Sequence, residues 1–290
     1  MASGSANGSD RNHLGTITMK LTLVLLAALG STAMIVDSKP LPEIVAHRGE
    51  SHDAPENTLA AFQLAWDRNV DTIELDVHLT QDGQLIVCHD ADTKRTTGVD
   101  HKIKECSCAM LRQLDAGSWK GPKWKGEKLP ILEECLATIP PGKKCFVEIK
   151  VGPEAVPAVA QAIKNSGKKP EQFVIISFQA PTIAAAKKAL PTIPAFYLSG
   201  FKQNKETGQW TPTVEELIAT AKEIHADGLD VSYKGPVDRE FVRKVKAAGL
   251  QFHVYTIDDL EVARKFQAYG VDGITTNRAA WMRQQLSSPR

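Results

Sequence analysis

The chain has 290 residues, with 35 Lys and Arg against 34 Asp and Glu, 42% apolar residues, 20 glycines and 16 prolines. That composition excludes general disorder, and a formal net charge of +1 excludes the broad basic field that recruits nucleic acid. Five cysteines (Cys88, Cys106, Cys108, Cys135 and Cys145) are odd in number and lack paired CxxC spacing. Neither a disulfide scaffold nor a structural zinc site is indicated; buried or free thiols are the expectation, and one bridge is the alternative.

Residues 1–18 are polar and rich in Ser, Gly and Asn, and read as a disordered leader. Met19-Lys20 then opens an apolar run from Leu21 to Leu29, followed by the small residues Ser31-Thr32-Ala33. A charged start, a short apolar stretch and a small-residue exit are the anatomy of a secretory signal peptide over residues 19–38, so a secreted or periplasmic protein is expected. The run is short for a bilayer span, and a buried core segment is the alternative. A polar leader ahead of a signal is unusual, which makes Met19 a candidate start. Residues 39–290 then form one domain of the size usual for an α/β barrel.

After Pro40 and Pro42, short β-branched runs alternate with amphipathic stretches, the pattern of βα units on a parallel sheet. Strands are predicted at Glu43–Ala46, Thr72–Val77, Cys145–Ile149, Phe173–Ser177, Ala195–Leu198, Gly228–Ser232, Phe252–Thr256 and Gly273–Thr276. Helices are predicted at Thr58–Arg68 with Asn57 as N-cap, Ile131–Thr138, Glu154–Asn165, Pro181–Ala189, Val214–Glu223, Arg239–Ala248 and Leu260–Ala268. Eight such strands imply a TIM (β/α)8 barrel rather than an open sheet.

Thr80-Gln81-Asp82-Gly83 breaks the alternation and predicts a hairpin after the second strand. Pairing Leu79 with Gln84 would set His89 beside Glu74. Residues 91–128 then form an insertion with little periodicity, carrying Trp119, Trp124 and nine basic against five acidic side chains. Loops this long within a domain are usually functional, although a merely solvated rim is an equal alternative.

Polar residues at the carboxyl ends of barrel strands are the candidates for chemistry. Glu74 and Asp76 lie two apart on one strand and so share a face; Glu148 and Lys150 repeat the relation on the next. Three carboxylates in a small volume call for a cation, and hard oxygen ligands favour Mg²⁺ or Ca²⁺. Pairing with Arg48 or Lys150 alone is the simpler alternative, and His78, of the same parity, is a competing ligand. His47 and His89 flank the acids from separate strand ends, as an acid/base pair would. His13, His52, His101, His225 and His253 are read as ordinary satisfied core or surface residues. A divalent ion with Arg48 and Lys150 suits the charge that grows on a phosphodiester in its transition state.

The ordered motifs His47-Arg48-Gly49, Pro55-Glu56-Asn57-Thr58-Leu59-Ala60-Ala61-Phe62, Glu74-Leu75-Asp76-Val77, Thr80-Gln81-Asp82-Gly83, His89-Asp90, Arg95-Thr96-Thr97-Gly98, Leu129-Pro130-Ile131-Leu132-Glu133-Glu134 and Glu148-Ile149-Lys150 resemble the glycerophosphodiester phosphodiesterase family over about residues 43 to 280. The resemblance implies a TIM barrel with a small insertion after the second strand. It implies a divalent metal on Glu74, Asp76 and Glu148, acid/base roles for His47 and His89, and phosphate contacts from Arg48 and Lys150. It further implies a small glycerophosphodiester substrate, cleaved to sn-glycerol 3-phosphate and an alcohol by attack of the substrate's own glycerol hydroxyl through a cyclic phosphate. Where the family commonly has Trp-Thr-Val-Asn, this chain has Tyr255-Thr256-Ile257-Asp258, and Tyr255 can serve as an aromatic wall. A lysophospholipase D-like activity is the alternative, in which residues 91–128 would touch a membrane surface transiently; a non-catalytic binding protein is the third reading.

Overall fold

The computed structural model describes residues 41–288, so the predicted leader and signal segment lie outside the described residues. The strands are β1 (Glu43–Ala46), β2 (Thr72–Leu79), β3 (Leu85–Val87), β4 (Lys144–Ile149), β5 (Phe173–Ser177), β6 (Ala195–Ser199), β7 (Lys202–Gln203), β8 (Trp210–Thr211), β9 (Gly228–Ser232), β10 (Gln251–Tyr255) and β11 (Gly273–Thr276). The helices are α1 (Leu59–Asp67), α2 (Lys94–Thr97), α3 (Cys108–Leu111), α4 (Leu132–Ala137), α5 (Val156–Asn165), α6 (Ala180–Ala189), α7 (Val214–Glu223), α8 (Arg239–Ala247), α9 (Leu260–Tyr269) and α10 (Ala279–Ser287). Eight parallel strands run in the order β1-β11-β10-β9-β6-β5-β4-β2, and β2 pairs back onto β1, closing the (β/α)8 barrel. The ribbon β7–β8 stands apart from it.

Strand alternation sorts the side chains into two populations. Ile73, Leu75 and Val77 of β2 point outward into the main core under the helices. Thr72, Glu74 and Asp76 point into the bore. There Val45, Phe146, Val174, Ile176, Phe196 and Leu198 form a second apolar cluster, with Phe146 and Phe196 edge to face at 5.9 Å between centroids. This filling closes the lower bore, leaving room for a site at the carboxyl ends.

The sequence reads Asn57 as the cap of α1, but Thr58 takes that place, its hydroxyl accepting from the Ala61 amide at 3.2 Å. Asn57 adopts a left-handed backbone and sends its side chain to Asp76 instead. The hairpin register is also shifted by one residue: Leu79 pairs with Leu85, His78 with Ile86 and Val77 with Val87. The cause is the Thr80 hydroxyl, which accepts from the Gln84 amide at 2.9 Å and donates to Asp82 Oδ1 at 2.6 Å, lengthening the loop by one residue. β3 runs antiparallel to β2 outside the closed barrel.

The insertion is packed rather than extended. Ile86 and Cys88 join Ile103, Cys106, Cys108, Leu111, Ala116 and Leu129 in a small core of its own. Asp115 binds the turn together, accepting from the amides of Gly117, Ser118 and Gly126. All five cysteines are buried and free, as the spacing implied.

Candidate active site

Two left-handed residues, Arg48 and Gly49, turn the chain sharply after β1. The turn aims the Arg48 amide at the bore, where it donates to Glu74 Oε2 at 2.8 Å. The Arg48 side chain donates to Glu56 Oε1 at 2.7 Å and its Nε lies 3.4 Å from Asp76 Oδ2. Across the cluster, Lys150 Nζ lies 2.7 Å from Glu148 Oε1 and 3.3 Å from Asp76 Oδ1. Both predicted cations therefore converge on the acids.

Glu74, Asp76 and Glu148 each offer an oxygen within 4.8 Å of the others, and all three are buried. Glu74 Oε1 has no hydrogen-bond partner, and Asp76 Oδ1 has only the Lys150 ammonium 3.3 Å away. Burial first, then the charges of Asp76 and Glu148, lifts Glu74 well above the usual carboxylate range. Burial and Asp76 lift Glu148 to about 7. For Asp76 burial works in the same sense, but Lys150 and Arg48 outweigh it and hold the group low. Three acids that cannot all ionise alone, with oxygens turned to a common point, can serve as the donor set of a hard divalent cation. His78 does not join them; its Nε2 donates to the His89 carbonyl at 3.1 Å and so supports the hairpin end.

The two histidines are held differently. His47 Nδ1 lies 2.7 Å from Asn277 Oδ1. Asn277 in turn gives Nδ2 to Asp258 Oδ2 at 2.6 Å, which fixes its oxygen as the acceptor for His47. His47 must therefore carry its proton on Nδ1 and leave the Nε2 lone pair free to accept one. Burial, with Arg48 second, lowers its pKa to about 4, so it is neutral at pH 7. His89 Nδ1 lies 2.7 Å from Asp90 Oδ1. Against burial, hydrogen bonds from Arg95 and His89 keep Asp90 at about 2. Arg95 also forks onto both Glu56 oxygens at 2.8 Å, linking His89 to Arg48 through Asp90, Arg95 and Glu56.

His47, Arg48, Glu74, His89, Glu148, Lys150 and Tyr255 line one cavity of about 140 Å³, with Asp76 buried beneath. All eight residues singled out from the sequence thus meet at one place. The Tyr255 hydroxyl donates to the Ser199 carbonyl at 3.0 Å, and its ring meets Phe178 edge to face at 6.0 Å, so it offers the cavity an aromatic surface. Sequence reasoning assigned no site role to Glu56, Asp90, Arg95, Asp230, Asp258 or Asn277, and read Asn57 only as a helix cap. Asp230 had the same signal as Glu74, an acid at inward parity in an apolar strand. His253 departs from the satisfied residue expected: both ring nitrogens lack partners, and the ring lies between Phe146 and Phe196 at 5.5 and 5.0 Å.

The fold and cup define a (β/α)8 barrel with an acidic cup, able to hold a divalent cation, at the carboxyl ends of its strands. Residues 47–280 match the model of the glycerophosphoryl diester phosphodiesterase family, and the chain belongs to that family of phosphodiesterases. A glycerophosphodiester phosphodiesterase of Bacillus subtilis is 31% identical over 281 residues, 91% of this chain and 92% of that protein. One from Caldanaerobacter subterraneus subsp. tengcongensis is 32% identical over 240 residues, covering 81% and 93%. Among solved structures, an Oleispira antarctica phosphodiesterase in complex with the product sn-glycerol-3-phosphate superposes with a TM-score of 0.76 at 30% identity, covering 86% of this chain and 98% of that one.

Proposed function

We propose that the protein hydrolyses glycerophosphodiesters to sn-glycerol 3-phosphate and an alcohol, with His47 and His89 as the acid/base pair and Ca²⁺ or Mg²⁺ on Glu74, Asp76 and Glu148. The observation that carries this reading is the convergence of both imidazoles, both cations and the acidic cup on one cavity. The product complex of the Oleispira relative, whose chain is matched almost throughout, points to the same substrate class. When bound, the cation would offset charge on the phosphoryl oxygens.

Arg48 and Lys150 orient the phosphodiester and balance its negative charge. His47 Nε2 takes the proton from the attacking glycerol hydroxyl, whose oxygen bonds to phosphorus as the bond to the leaving alcohol breaks. His89, held by Asp90, gives that alcohol its proton. Water then opens the cyclic phosphate, with His89 as base and His47 returning its proton to the departing hydroxyl, so both residues end as they began.

A lysophospholipase D-like activity has one observation in its favour. Trp119 is 41% exposed on the insertion, with Lys120 at 5.5 Å from its ring, and Lys123 covers Trp124 at 4.4 Å. Trp and Lys together suit transient contact with a lipid surface. Choline release is to be measured from glycerophosphocholine and from lysophosphatidylcholine. Preference for the first is expected; preference for the second would replace the leading substrate. Activity that survives both His47→Gln and His89→Gln in folded protein would remove the acid/base pair. Export remains our proposal from the Met19–Ala33 pattern, tested by sequencing the N-terminus of protein recovered outside the cytoplasm.

A further inference from the structure

Asp230 stands on β9, flanked outward by Leu229 and Val231, and points into the bore level with Leu198 of β6 and His253 of β10. In the ring of eight strands β9 is four places from β2 in either direction, so Asp230 faces Glu74 and Asp76 across the barrel. It is 1% exposed, it lines the catalytic cavity, and its Oδ1 is buried without a hydrogen-bond partner. It plays no part in the chemistry assigned above.

A buried acid with an orphaned oxygen is costly unless something supplies the missing partner. Its cavity neighbours Ile176, Phe178, Leu198 and Tyr255 offer carbon surface, since the Tyr255 hydroxyl is already engaged. Burial, with Glu148 second, favours the neutral carboxyl, which can donate and accept at once. With phosphate drawn to Arg48, Lys150 and the cup, the rest of a small substrate extends toward the far wall. A hydroxyl is the group that fits a neutral carboxyl there.

We propose that Asp230 is a specificity-determining residue whose carboxyl hydrogen-bonds a glycerol hydroxyl of the substrate, so that the cavity selects a polyhydroxylated phosphoester over an alkyl phosphoester of equal size. This deepens the glycerophosphodiester reading and rests on it. A site built to pair a substrate hydroxyl discriminates strongly against the analogue that lacks it.

The test is equilibrium binding of sn-glycerol 3-phosphate and n-propyl phosphate to the full chain with Ca²⁺ or Mg²⁺ present, alongside glycerophosphocholine hydrolysis by the wild type. The wild type should prefer glycerol 3-phosphate. Asp230→Leu should lower that preference roughly 10- to 100-fold, through weaker glycerol 3-phosphate binding with propyl phosphate little changed. Asp230→Asn, which still donates and accepts, should keep most of the preference. Asp230→Ala, which only removes atoms, gives the same readout if leucine disturbs packing. Undiminished preference in Asp230→Leu and Asp230→Ala, while the wild type hydrolyses glycerophosphocholine, overturns the assignment alone. Equal weakening of both ligands also overturns it, by showing a structural role. A wild type that neither hydrolyses glycerophosphocholine nor prefers glycerol 3-phosphate overturns the underlying reading, and the assignment with it.

Discussion

His47, half-buried at the cavity wall, and His253, fully buried, are imidazoles whose pKa lies at about 4, with burial the largest cause in each. Their partners separate them. His47 is clamped by Asn277, which Asp258 holds, so its tautomer is set and its second nitrogen faces the cavity. Replacing Asn277 with Leu should leave the fold intact and lower kcat about 10- to 100-fold with a smaller change in KM, because a general base with the wrong tautomer loses much of the roughly 10²- to 10⁴-fold that such a group contributes. Steady-state kinetics on a substrate that is turned over check this. His253 has no partner, and Gly273 leaves room for its ring: a Cβ there would come within 2.1 Å of Nδ1. Unfolding returns His253 to the ordinary value near 6.5, so the unfolded chain binds the extra proton between pH 6.5 and 4 and stability falls as pH drops through that window. His253→Leu should remove about 2 kcal/mol of the stability difference between pH 7 and pH 5, read from urea unfolding at the two values. His47 was legible from the acids and strand end beside it; nothing next to His253 in the sequence told it apart from a satisfied core residue.

The turn after β1 shows how one element fixes several of the groups to which we assign the chemistry. Gly49 has φ +81, and a Cβ on it would lie 2.7 Å from the backbone carbon and Cβ of Ala61 in α1. Alanine there meets both a strained backbone and a helix backbone that cannot yield cheaply. Gly49→Ala should therefore cost about 2–3 kcal/mol or more and reduce activity beyond the loss of folded protein, since His47 and Arg48 immediately precede it. Thermal melting and activity per folded molecule test the two parts. The strands of this barrel were legible because each is a short apolar run with inward polar residues at its end. The hairpin register was not, because it depends on the Thr80 hydroxyl bonding to Gln84 and Asp82, a side-chain choice that periodicity does not encode. Asn57 escaped for a similar reason: an Asn one residue before a helix looks like a cap, and only the left-handed backbone turns it toward Asp76.

At the scale of the whole molecule, these histidines and the buried acids make opposite demands on pH. Glu74 and Glu148 are raised by burial and by neighbouring charge, Glu148 to about 7. Without a cation the folded protein keeps protons on them that the unfolded chain releases above about pH 4.5, so the Glu148 contribution to stability is lost as pH rises from about 4.5 to 7 and the Glu74 contribution declines in the same direction. His47 and His253 act the other way, adding stability as pH rises from 4 to 6.5. Between about pH 4.5 and 6.5 the two contributions oppose each other in the metal-free protein, and above pH 6.5 only the loss remains. A divalent cation displaces the protons from the cup and reverses that loss, because its binding strengthens as the carboxyls ionise. The rise in Tm on adding Ca²⁺ or Mg²⁺ should therefore be small near pH 5 and grow steadily to pH 8. EDTA should abolish hydrolysis and return the melting curve to that of the bare cup. A Tm increment that is independent of pH would mean that the cation sits elsewhere. The substitution Glu148→Gln tests the same coupling from inside: it removes one charge from the cup, so the metal-free protein should become more stable at pH 8 while losing most of its response to the cation.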